Sequence, residues 1–119
     1  MFIRELKDCD EFIAGDNCAL REILHTDKEK LALRYSLAHA VVRPGDTTWA
    51  HRLKTSEVYY IIEGEGTVHI NDHSAPVRPG STIYIPPLAK QSITNSGTTA
   101  LTFICIVDPA WRKEDEEVL

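Results

Sequence analysis

His51 and Glu57 stand six positions apart in the stretch Pro44 to Gly66, PGDTTWAHRLKTSEVYYIIEGEG. An imidazole nitrogen and a carboxylate are both donors for a divalent metal. In one unbroken strand, which advances about 3.3 Å per residue, the two side chains would lie roughly 20 Å apart and share nothing. Lys54, Thr55 and Ser56, between WAHRL and EVYYII, are small or polar. A turn there brings His51 and Glu57 together, and the question is whether they meet over a metal.

The elements that must position this pair read as strands. CALREIL, LALRYSLAHAVV, TTWAHRL, EVYYII, GTVHI, APVR, STIYI, QSITN and ALTFICIV are short runs rich in β-formers, separated by turn residues such as PGD, EGEG, NDH, RPGS, PPLA and NSGT. This rhythm predicts an all-β antiparallel barrel or sandwich. Only Ile3 to Phe12 has an apolar pattern compatible with a helix. In EVYYII both alternating sets, Glu57, Tyr59, Ile61 and Val58, Tyr60, Ile62, are mainly apolar, and LTFICIV is similar. A solvated sheet shows polar residues on its outer face, so something is expected to cover this one: the N-terminal arm, another sheet or, the favoured reading, a second copy in a homodimer.

Composition narrows the classes. The 119 residues, 43% hydrophobic, suffice for one core and not two. The net charge of -5, with thirteen scattered basic residues, argues against a nucleic-acid footprint. MFIRELKDCDEF interleaves charges from its start, so neither a signal peptide nor a membrane span is expected. Cys9, Cys18 and Cys105 are odd in number and lack CxxC spacing, which predicts reduced thiols and a cytoplasmic location. The charge run Arg112 to Glu117, RKEDEE, reads as a solvated tail.

Gly45, His51, Glu57 and Gly64 fall in the register of a motif Gly…His-x-His…Glu…Gly, with Leu53 at the second His. Gly80, Pro86 and Asn95 fall in a second motif, Gly…Pro-x-Gly…His…Asn, with Leu88 at the Gly and Gln91 at the His. On these positions the chain resembles a small single-domain cupin. The resemblance implies an antiparallel double-stranded β-helix, or jelly-roll barrel, over residues 18–108, preceded by an N-terminal arm, 1–17, and followed by a tail, 109–119.

Members of that family hold one divalent ion on the four motif ligands. The resemblance therefore points His51, Glu57 and Gln91 at one ion, manganese, zinc, nickel or iron, held weakly because an amide oxygen and a gap replace two imidazoles. Leu53 narrows the pocket, and Tyr35, His39, Trp49, Tyr59, Tyr84 and Cys105 are its other expected lining residues. Isomerases, lyases, decarboxylases and dioxygenases occur in the family, and an isomerase- or lyase-like reaction on a small oxygen-bearing metabolite is the expected class. The alternative is a metal-free ligand-binding or regulatory protein. In that case Glu57 is neutralised by a basic neighbour such as Arg34, Arg43 or Arg52, and Gln91 serves backbone groups.

Overall fold

The computed structural model describes the chain from Met1 to Leu119. Eleven strands follow in order: β1 (Glu11–Ile13), β2 (Ala19–Leu24), β3 (Ser36–Val42), β4 (His51–Leu53), β5 (Ser56–Glu63), β6 (Gly66–Ile70), β7 (His73–Val77), β8 (Thr82–Ile85), β9 (Gln91–Asn95), β10 (Leu101–Asp108) and β11 (Glu116–Val118). They form two antiparallel sheets, a six-stranded one ordered β1-β2-β3-β10-β5-β8 and a five-stranded one ordered β11-β4-β9-β6-β7. The architecture is the expected all-β jelly roll. All nine runs read from the sequence correspond to β2 through β10.

The alternation of each strand builds the core between the sheets. Ala40 and Val42 from β3, Tyr59 and Ile61 from β5, Leu101, Phe103 and Cys105 from β10 and Ile83 and Ile85 from β8 point inward from one sheet, and Val68, Val77 and Ile93 meet them from the other. The rings of Tyr59 and Phe103 pack with centroids 4.6 Å apart. Glycine turns allow the strands to reverse. At Gly64, which has φ +86°, a Cβ would lie 2.5 Å from the Ala100 carbonyl oxygen, so only glycine fits between β5 and β6.

Both ends of the chain depart from expectation. Ile3 to Phe12 is not a helix: a single 3-10 turn at Leu6–Asp8 gives way to β1, which pairs with β2. Three residues of turn cannot propagate as a helix, whereas Phe12 and Ile13 find a partner strand. The RKEDEE run is not a solvated tail either. It turns at Lys113–Asp115 and continues as β11, with Glu116, Glu117 and Val118 opposite Leu53, Arg52 and His51 of β4. The pairing gives the edge of β4 its hydrogen-bonding partner, and Leu119 N–H donates to the Ala50 carbonyl at 2.9 Å.

The outer face of the six-stranded sheet stays apolar. Tyr60, Ile62 and Tyr84 are exposed there, beside the half-buried Val58, Ile104 and Ile106. No helix is long and apolar enough to cross a membrane.

Candidate functional site

The turn after β4 switches the chain from one sheet to the other, so His51 and Glu57 approach across the barrel instead of along it. His51 pairs in register with Gln91 of β9. Glu57, between Val107 of β10 and Ile85 of β8, projects from the facing sheet. All three are buried, with Glu57 only 6% exposed.

A line of polar groups runs through this region. The Tyr59 hydroxyl donates to Gln91 Oε1 at 2.7 Å, and the Gln91 amide lies close enough to Glu57 to favour its charged form. Glu57 Oε1 has no partner. Arg34 is bound to Asp108 and Arg43 to Asp46, and Arg52 makes no ion pair, so the expected neutralisation of Glu57 by an arginine does not occur. Burial, reinforced by the charges of Asp16 and Glu116, pushes the Glu57 carboxyl up to about 8, with the Gln91 amide opposing. At neutral pH it is therefore mostly a carboxylic acid.

Two further carboxylates complete the site. Asp16 sits in the turn joining β1 to β2, fixed by the Trp49 N–H donating to its carbonyl at 2.8 Å, and its Oδ2 lies 3.9 Å from His51 Nδ1. Glu116, from β11, places Oε2 at 3.9 Å from His51 Nε2. Gly15 makes room for it, since a Cβ there would come within 2.5 Å of Glu116 Oε1. Burial raises the Glu116 carboxyl while the His51 charge opposes that shift. His51 Nδ1 donates to the Trp49 carbonyl at 3.1 Å, which turns Nε2 toward Glu116.

These groups open on a cavity of about 310 Å³, walled among others by Phe12, Leu53, Tyr59, Phe103, Cys105 and Trp111. Burial raises the thiols of Cys18 and Cys105, both cavity-lining, and so holds them protonated. Of the residues expected to line the pocket, Leu53, Tyr59 and Cys105 do so, and Tyr35, His39, Trp49 and Tyr84 do not. Tyr35, Trp49 and Tyr84 are exposed, the last at 61%, and Trp49 serves the site only through its backbone. His39 lies on the outer face of β3, because Ala38 and Ala40 take the inward positions. His25 is pinned elsewhere, donating from Nε2 to the Trp111 carbonyl at 2.6 Å and accepting the Asp27 N–H at Nδ1.

The side chains do not fit the ligand set that the resemblance implied. Gln91 Oε1 is already engaged by Tyr59, and Leu53 places an isobutyl group beside His51. No three His, Cys, Asp or Glu side chains converge on a point that could hold an ion. Asp16 and Glu116 escaped the sequence reading. Asp16 lies in the stretch GDN and Glu116 in the charge run RKEDEE, and only the strand pairing carries either into the cavity.

Comparison with known proteins identifies the fold. Residues 38–107 match the family described as cupin domain. An uncharacterised protein of Methanocaldococcus jannaschii is 38% identical over 109 residues, 91% of this chain and 86% of its own length. A Thermotoga maritima protein named oxalate-binding protein is 31% identical over 73% of this chain and 68% of its own. Among solved structures, a Photorhabdus luminescens protein superposes with a TM-score of 0.79 at 25% identity, over 97% of this chain and 91% of that one.

Proposed function

This chain belongs to the cupin family, and from that premise we propose that it is a small-ligand cupin whose cavity recognises its ligand without a metal, through Glu57 held in line by Gln91 and Tyr59. The observation that carries this reading is the buried Glu57 oxygen without a partner, on the wall of a cavity large enough for a metabolite. A buried acceptor with no donor costs about 1–3 kcal/mol, and a ligand that supplies the donor recovers that energy. As a carboxylic acid near neutral pH, Glu57 can also donate, the form a general acid needs.

The test is ligand binding by chelator-treated protein, read as a thermal shift across a library of small metabolites, beside Glu57→Gln. Stabilisation that survives chelation and is lost in the variant supports the proposal. A hit that requires added metal overturns it.

A second reading is a divalent ion on His51 and Glu57, supported by the same unpartnered oxygen, with Gln91 released from Tyr59 to join them. Near-stoichiometric metal in protein purified without chelators, absent from Glu57→Ala, would establish it. Leu53→His should then tighten uptake. A reaction of isomerase or lyase type belongs to this second reading, whereas the metal-free reading is one of binding without catalysis.

We also propose that a second copy covers the apolar outer face around Tyr60, Ile62 and Tyr84. Analytical ultracentrifugation should give a dimer that Tyr60→Lys dissociates, and a monomeric wild type would sink this assignment.

A further inference from the structure

The cavity wall is unevenly charged. Asp16, Glu57 and Glu116 line it, and His51, 3.9 Å from both Asp16 and Glu116, is the one group of opposite potential charge among them. Lys113 stands exposed at the rim and makes no ion pair with any of the three. Glu22 also lines the cavity, but its carboxylate is taken by Lys28 at 2.6 Å. No arginine reaches the wall.

Carboxylates out of water need donors or a counter-charge. Asp16 receives one backbone N–H, from Cys18 at 3.3 Å, and Glu57 Oε1 receives nothing. Around these acidic groups stand the rings of Phe12, Tyr59, Phe103 and Trp111, surfaces that attract both apolar groups and cations. A small dicarboxylate would meet Asp16 and Glu116, with only His51 and the exposed Lys113 to offset them.

We propose that the cavity takes an organic ammonium ion carrying an apolar or aromatic body, an N–H donating to Glu57 while the nearby charges of Asp16 and Glu116 attract the cation. The inference rests on the Glu57-centred cavity proposed above and names its ligand class. An ammonium nitrogen brings up to three donors and one positive charge, which answers both the unpartnered oxygen and the carboxylate excess. The rings enclose the rest of the ligand.

The experiment is thermal unfolding of the chelator-treated full chain with 2-phenylethylamine, with the matched alcohol 2-phenylethanol, with the matched carboxylate 3-phenylpropionate and with manganese alone. Wild type is compared with Asp16→Asn, Glu116→Gln and Glu57→Gln, and each unliganded midpoint is recorded so that a folding defect is read separately. The amine should raise the midpoint and bind about tenfold or more tighter than the alcohol, as expected for a charge-assisted hydrogen bond, and the carboxylate should give no shift. Asp16→Asn and Glu116→Gln should each erase most of the amine's advantage and leave alcohol binding unchanged.

The ammonium assignment is overturned if the carboxylate or alcohol binds as well as the amine, if the amine gives no shift at millimolar concentration, or if manganese alone stabilises. Alcohol binding that depends on Glu57 without an amine preference defeats this assignment and keeps the cavity reading. Binding indifferent to Glu57→Gln defeats the cavity reading itself.

Discussion

The two ends of β9 each bury a polar amide, and the two are treated differently. At one end Asn95 is fully paired: Nδ2 donates to the carbonyls of Val42 at 2.9 Å and Thr99 at 2.8 Å, and Oδ1 accepts the Gly97 N–H at 2.9 Å. At the other end Gln91 accepts from Tyr59 and lies beside Glu57, whose Oε1 has no donor. Asn95 closes its end of the barrel with the chain's own backbone. Gln91 helps hold an acid at the end that opens on the cavity. A polar residue buried for structure is satisfied internally, and one buried for recognition leaves an atom for something else.

The largest expected effect separates the two ends by pH. Glu57 ionises near 4.5 in the unfolded chain and at about 8 when folded. Between those values the folded state holds a proton that the unfolded state has given up, so rising pH favours unfolding. In chelator-treated protein, stability from denaturant unfolding should fall by about 1.4 kcal/mol per pH unit across that window and level off above it. Glu57→Gln should remove this component, leaving a smaller one in the same direction from Glu116, whose carboxyl is also raised. An unchanged slope in the variant would mean that Glu57 does not titrate as its burial requires.

Next in size is the paired end. Asn95→Ala strips three hydrogen bonds, one of them to the buried Val42 carbonyl, a loss of about 2–3 kcal/mol that should not vary with pH and should not touch ligand binding. Coupling of that variant to ligand affinity would blur the division between the ends. Tyr59→Phe should cost less, about 1 kcal/mol in the free protein, since only the donor to Gln91 is lost. It should weaken ligand binding as well, because the Gln91 amide is then free to turn away from Glu57. A calorimetric titration that found ligand affinity unchanged would confine Tyr59 to packing.

How much of each end could be read from sequence follows from the range of its contacts. The paired end declared itself through Gly45, Gly64 and Asn95, whose residue types are demanded by local turns and tight packing. His51 and Glu57 were legible by type and spacing. Asp16 and Glu116 were not, because they come from opposite ends of the chain and meet His51 only when β1, β2 and β11 have joined their sheets. Periodicity also failed at His39: in SLAHAVV the alternation is plain, but small alanines on one face and larger groups on the other do not announce which face is inside, and the barrel took the alanines.

The smallest effect sits where a glycine is missing. Leu88 has φ +69° and is 62% exposed, and its N–H donates to the Leu53 carbonyl at 2.7 Å, tying the loop before Gln91 to β4. A side chain in that left-handed conformation costs about 1–2 kcal/mol, and glycine returns roughly half of it after its own entropy loss. Leu88→Gly should therefore stabilise the protein by about 0.5–1 kcal/mol, seen as a raised unfolding midpoint. It should leave ligand affinity unchanged, because the carbonyl contact is made by the backbone and the exposed leucine side chain touches neither Glu57 nor the cavity wall. Destabilisation would show that Leu88 contributes packing its exposure does not suggest, and a change in affinity would make this loop part of the ligand's entrance.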